Sequence, residues 1–202
     1  MLDNISISKQ SSVRINNNIY IDPYGIEEES KDAKYIFITH DHYDHYSKED
    51  IDKIVNDETI FVIPNSMKDK FDYTNDCIFV DVGRNYILDD ISFKTLPMYN
   101  INKQFHKREY NWCGYIIRIE SKLYYFVGDS DYIPEMNGIK CDYLFIPIGG
   151  TYTMDLNEAL DAIKNINYKY VIPYHYGSIV GDINLGNKMK NILGEKCILK
   201  IK

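Results

Sequence analysis

The chain has 202 residues, with 23 Lys and Arg against 30 Asp and Glu and a formal net charge of −7. That length suits one domain, residues 1–202, with a sizeable core, and the acidic balance argues against a nucleic-acid partner, whose phosphates are met by clustered cations. Cys77, Cys113, Cys141 and Cys197 are widely spaced without a C-x-x-C pair, so neither a zinc knot nor a dense disulfide framework is indicated.

Taken in chain order, residues 19–21 read as a short strand running into Asp22-Pro23. Residues 35–39, Tyr-Ile-Phe-Ile-Thr, form a second apolar, β-branched run. It leads directly into His40-Asp41-His42-Tyr43-Asp44-His45, a window that holds three of the chain's five histidines. Imidazoles and carboxylates at this density are the ligand types of a divalent transition metal. His40 and His42, one residue apart on extended chain, point the same way and suit one ion. Asp44 and His45 are adjacent, diverge, and suit a second. Asp41 is expected to point away and steady the loop. Ser47 and Asp50 have the spacing of a capping box, and Ile51, Ile54 and Val55 give the helix they open an apolar face.

Further strands are expected at residues 60–63, 78–82, 91–96, 115–119 and 123–127, then at 143–148 and 170–173. A helix is expected over 156–165 and shorter helical segments over 65–70 and 185–193. No helix-length apolar run of about 18 residues is available to cross a membrane, and Met1 to Gln10 is not a leader in type. The expected location is the cytoplasm.

Two strand ends carry further ligand types. The run at 123–127 enters Gly128-Asp129-Ser130-Asp131, where Gly allows a sharp turn and Asp129 offers two oxygens, enough to bridge two ions. The run at 170–173 delivers His175 within Pro173-Tyr174-His175-Tyr176-Gly177. Taken singly, the first is more often a turn former and the second more often a packed histidine than a ligand. Lys103, Lys107 and Arg108 surround His106 in one loop and are candidates to receive an anionic group. Tyr99, Tyr174 and Tyr176 are candidates to line a pocket, and Gly149-Gly150-Thr151 to offer backbone N–H groups.

The order H-x-H-x-D-H, then an Asp, then a last His, each at a strand end, resembles the metallo-β-lactamase superfamily over nearly the whole chain. The branch it looks most like is the small prokaryotic hydrolases similar to ascorbate-6-phosphate lactonases and N-acyl-phosphatidylethanolamine phospholipases D. The resemblance implies an α+β fold, an αββα sandwich of two mixed sheets with outer helices. It also implies a dinuclear site: His40 and His42 on the first ion, Asp44, His45 and His175 on the second, Asp129 bridging. One departure stands out. The strand at 91–96 continues Pro97-Met98-Tyr99-Asn100 where the family usually places another histidine. Either His106 returns to the first ion, or Asn100 offers a weak oxygen ligand, or that ion is loosely held or absent.

The expected activity is hydrolysis of a small, anionic ester, lactone or phosphodiester by a metal-activated hydroxide, with Asp44 and Asp129 orienting the nucleophile and taking its proton. Asp22 is expected to support a histidine or the loop backbone from behind the ligands. Zinc is the first choice of metal, with manganese, iron or nickel as alternatives. Self-association is left open. Two other readings are a catalytically inactive metal-binding sensor or interaction protein and, disfavoured by the acidic balance, an RNA-processing nuclease.

Overall fold

Short alternating runs at the N-terminus, too brief to stand out as pattern, start the first sheet. In the computed structural model, which describes residues 4–201, these are Ile5–Ile7 (β1) and Val13–Ile15 (β2). The chain divides into two compact units, one ending at Asp81 and the other beginning at Val82.

The first unit continues with Ile19–Ile21 (β3), Tyr35–Phe37 (β4), Lys48–Ile54 (α1), Ile60–Pro64 (β5) and Cys77–Val80 (β6). Its six strands lie in sequence order. β1, β2 and β3 pair antiparallel, and β3 to β6 parallel. All three residues of β4 are fully buried, the continuous apolar run of a parallel strand. α1 lays Ile51 and Ile54 against Ile36, Ile38, Phe61 and Ile63.

Ser47 does cap α1, accepting from the Asp50 N–H at 3.4 Å. Asp50, however, does not close a capping box. Its carboxylate accepts the backbone N–H groups of Gly25 (3.0 Å) and Ile26 (2.8 Å) and a hydrogen bond from Ser47 Oγ, so it ties the loop after β3 to the helix start. Burial pushes the Asp50 carboxyl up, but the bonds from Ser47, Gly25, Lys53 and Ile26 outweigh it and hold the group below its ordinary range.

The second unit holds Asn85–Leu88 (β7), Ile91–Pro97 (β8), Cys113–Ile119 (β9), Lys122–Phe126 (β10), Lys140–Pro147 (β11), Leu156–Ile163 (α2), Asn167–Tyr174 (β12) and Asn184–Leu193 (α3). The sheet order is β12-β11-β10-β9-β8-β7. β10, β11 and β12 run parallel in register, Phe126 beside Phe145 and Phe145 beside Ile172. Their C-terminal ends therefore open at the same sheet edge, where an α/β protein ordinarily builds its site. α2 starts on a complete Asp155–Glu158 capping box, and Ala159, Ala162 and Ile163 join Leu144, Ile146 and Val171 in the core. Residues 65–70 form a 3-10 helix. The strands at β1, β2 and β7 were not expected from sequence. Cys113, Cys141 and Cys197 are buried and Cys77 is half-buried, in keeping with the packed role expected of them.

Candidate metal centre

In the first unit the histidine window begins three residues after β4 ends. Asp22, at the end of β3, organises it from behind. Its backbone is left-handed, φ 47°, a conformation that costs a non-glycine residue on the order of 1–3 kcal/mol and is retained where surroundings enforce it. Asp22 Oδ1 accepts the Thr39 N–H at 2.7 Å, and Oδ2 accepts the Thr39 hydroxyl at 2.7 Å. Because the Thr39 proton goes to Asp22, Thr39 Oγ1 is the acceptor for His40 Nδ1 at 2.9 Å. Asp22 Oδ2 also receives His45 Nδ1 at 2.8 Å. Both imidazoles thus carry the proton on Nδ1 and the lone pair on Nε2. Burial pushes the Asp22 carboxyl up, opposed by His45 and by the hydrogen bonds from His45 and Thr39.

His40 Nε2 and His42 Nδ1 approach to 3.1 Å, a convergence of ring nitrogens natural to two ligands of one ion. The His40 and His45 rings are 3.9 Å apart, and Asp44 Oδ2 is 3.8 Å from His45 Nε2. Gln10 reaches Asp44 Oδ2 from 34 residues upstream at 3.5 Å. Nothing in the local sequence signalled that contact. Asp41 turns out of the cluster to pair with Lys70, as the alternation along the loop predicted.

In the second unit two strand ends and one loop converge. Asp129 follows β10 after the turn at Gly128, whose N–H is held by Tyr174 Oη at 2.7 Å. Asp129 Oδ2 lies 2.9 Å from His175 Nε2 and 3.5 Å from His106 Nε2, and all three residues are buried. His175, directly after β12, is left-handed with φ 54°. His106 belongs to the loop between β8 and β9 and rests against Trp112, ring centroids 5.7 Å apart. Its Nδ1 is 3.0 Å from Asn100 Oδ1.

The cations expected to receive an anionic group already face carboxylates. Lys103 pairs with Asp131 and Glu158, Arg108 with Glu135, and Lys107 lies 3.9 Å from Glu109. The tyrosines are structural rather than pocket-lining. Tyr174 braces Gly128, Tyr99 donates to Glu135 at 3.0 Å under the Arg108 guanidinium, and Tyr176 is buried in the core. Gly149 is required by packing, since a Cβ there would meet the His175 carbonyl oxygen at 2.2 Å. Gly150 donates to Met154 O within its own turn.

Each half is rich in neutral imidazole nitrogen and carboxylate oxygen, the donor set that zinc, manganese, iron and nickel accept. The second-sphere bonds fix the tautomers that metal ligation requires. The residues present fit a metal.

Two six-stranded mixed sheets with few helices, and histidines and aspartates at their strand ends, define a hydrolase of the metallo-β-lactamase fold class. Residues 5–175 match the β-lactamase superfamily domain, and the chain belongs to that family. A UPF0173 protein of Pyrococcus furiosus is 30% identical over 171 residues, 79% of this chain and 75% of its relative. A UPF0173 metal-dependent hydrolase of Thermoplasma volcanium is 28% identical over 179 residues, 83% of this chain and 79% of the other. Among solved structures, one from Parabacteroides distasonis superposes with a TM-score of 0.82 at 24% identity, covering 98% of this chain and 93% of that one. Igni18, a metallo hydrolase from Ignicoccus hospitalis, gives a TM-score of 0.74 at 22% identity over 98% and 94%. At these identities the structural matches speak for the fold. No helix among the described residues is long and apolar enough to cross a membrane.

Proposed function

We propose that the chain works as one domain with one dinuclear centre. His40, His42 and His106 would hold the first ion and Asp44, His45 and His175 the second, with Asp129 available to both. The observation that carries this reading is the anchoring of His40, His45 and His106 through Nδ1 to Thr39, Asp22 and Asn100, which directs the lone pair of each ring to Nε2. Zinc is the first candidate.

When bound, such a pair polarises a carbonyl or phosphoryl oxygen and lowers the pKa of water towards neutrality. The chain's own residues do the rest. Asp129 and Asp44 orient the attacking water and accept its proton. Asp22 and Thr39 hold two imidazoles against rotation. Since Lys103, Lys107 and Arg108 already face carboxylates, negative charge on the substrate is met by the ions rather than by the loop. The substrate class this supports is a small ester, lactone or phosphodiester, anionic groups included, and the acidic chain disfavours RNA.

The test is metal analysis of protein purified without chelators, with hydrolysis assayed on generic phosphodiesters, lactones and esters. Two equivalents per chain with chelator-sensitive turnover is expected. Stoichiometric metal with no turnover on any of the three would favour a metal-binding sensor instead.

A further inference from the structure

The loop between β8 and β9 presents His106 where the strand itself offers no histidine, and the side chain that fixes the ring is Asn100. Asn100 Oδ1 accepts two hydrogen bonds from the same residue, the His106 backbone N–H at 3.0 Å and His106 Nδ1 at 3.0 Å. Asn100 Nδ2 donates to Tyr152 O at 2.9 Å and to Asp131 Oδ1 at 3.1 Å. A backbone N–H can only donate and a backbone carbonyl only accept, so these two main-chain partners determine the orientation of the amide. With Oδ1 facing His106, Nδ1 must be the protonated nitrogen, and Nε2, the atom 3.5 Å from Asp129, carries the lone pair.

The anchor is itself anchored. Asp131 accepts the N–H groups of Ile101 (2.8 Å) and Asn102 (3.4 Å) in addition to Asn100, and Lys103 pairs with it. The backbone closes the loop as well, Asn100 N–H donating to His106 O. Asn100 is 7% exposed and His106 fully buried, so water does not substitute readily for a lost partner.

We propose that Asn100 is the positioning residue for the first metal site: it stands at the strand end and, in place of ligating, holds the loop-borne His106 in the one tautomer that can. This rests on the reading of His106 as a ligand. The consequence is an asymmetric centre, in which the first ion depends on the β8–β9 loop and the second does not.

The experiment is a zinc titration of the metal-free protein against a competing chelator, for wild type, His106→Ala, Asn100→Leu and the double variant, with ¹⁵N imidazole spectra of the metal-free forms. Asn100→Leu should weaken one of the two equivalents about 10- to 100-fold and leave the other unchanged. The double variant should bind no worse than His106→Ala alone, and the His106 spectrum should lose its Nδ1–H signature in Asn100→Leu. Asn100→Ala, which removes the acceptor without adding bulk, carries the test if Asn100→Leu does not fold, and should show the same loss of signature and of affinity. Wild-type affinity or an unchanged tautomer in Asn100→Leu, or in Asn100→Ala in its place, overturns the proposal. Wild-type metal binding in His106→Ala would instead overturn the ligand assignment beneath it.

Discussion

Gly149 and His175 are packed so closely that the smallest side chain at Gly149 would strike the His175 carbonyl oxygen at 2.2 Å. The contact is between backbones, after β11 and after β12, so neither side yields by changing a rotamer. His175 is already held left-handed at φ 54°. Gly149→Ala should therefore displace the His175 backbone, costing roughly 1–3 kcal/mol of stability and on the order of tenfold in metal affinity. Thermal unfolding and zinc titration check it. Unchanged values in both would show that the turn has slack the packing does not suggest.

Asp22 serves two imidazoles at once, His45 directly and His40 through Thr39. Asp22→Ala should weaken zinc binding about 10- to 100-fold, and Thr39→Val, which cuts only the branch to His40, should have the smaller effect. Equal losses in the two variants would mean that His45 does not depend on Asp22.

Asp50 makes a prediction about pH. Its folded carboxyl is held below the ordinary range, so the stability it contributes is complete above the unfolded pKa of about 3.9 and is lost as pH falls through the lower folded value. Asp50→Asn should lower stability by about 1–2 kcal/mol at pH 7, with the gap to wild type closing below about pH 4. Calorimetry across that window reads it, and a gap independent of pH would contradict the assignment.

Much of the fold was legible because long apolar runs identify buried strands irrespective of partner, as at β4, β5, β10 and β11. β1, β2 and β7 escaped because three- and four-residue stretches such as Ile5–Ile7 carry too little periodicity and gain their order from pairing. In the centre, ligand type and order singled out His40 to His45, Asp129 and His175. The sequence left His106, among Lys and Arg, open between a ligand and a solvated loop residue; it is buried, because Asn100 and Trp112 enclose it and the neighbouring cations are drawn off by Asp131, Glu158 and Glu135. These ion pairs span 27 to 55 positions and leave no local signal. The same distance hid Gln10 beside Asp44, and made tyrosines that brace loops look like pocket walls.

The central claim is that ligands from His40 to His175 share one pair of ions. Anomalous diffraction at the zinc edge from crystals of the zinc-loaded protein tests it most directly. The account predicts two peaks per chain, one bound by His40, His42 and His106, the other by Asp44, His45 and His175, with Asp129 on both. A single peak, or peaks whose ligands come only from one side of the Asp81–Val82 boundary, would contradict it.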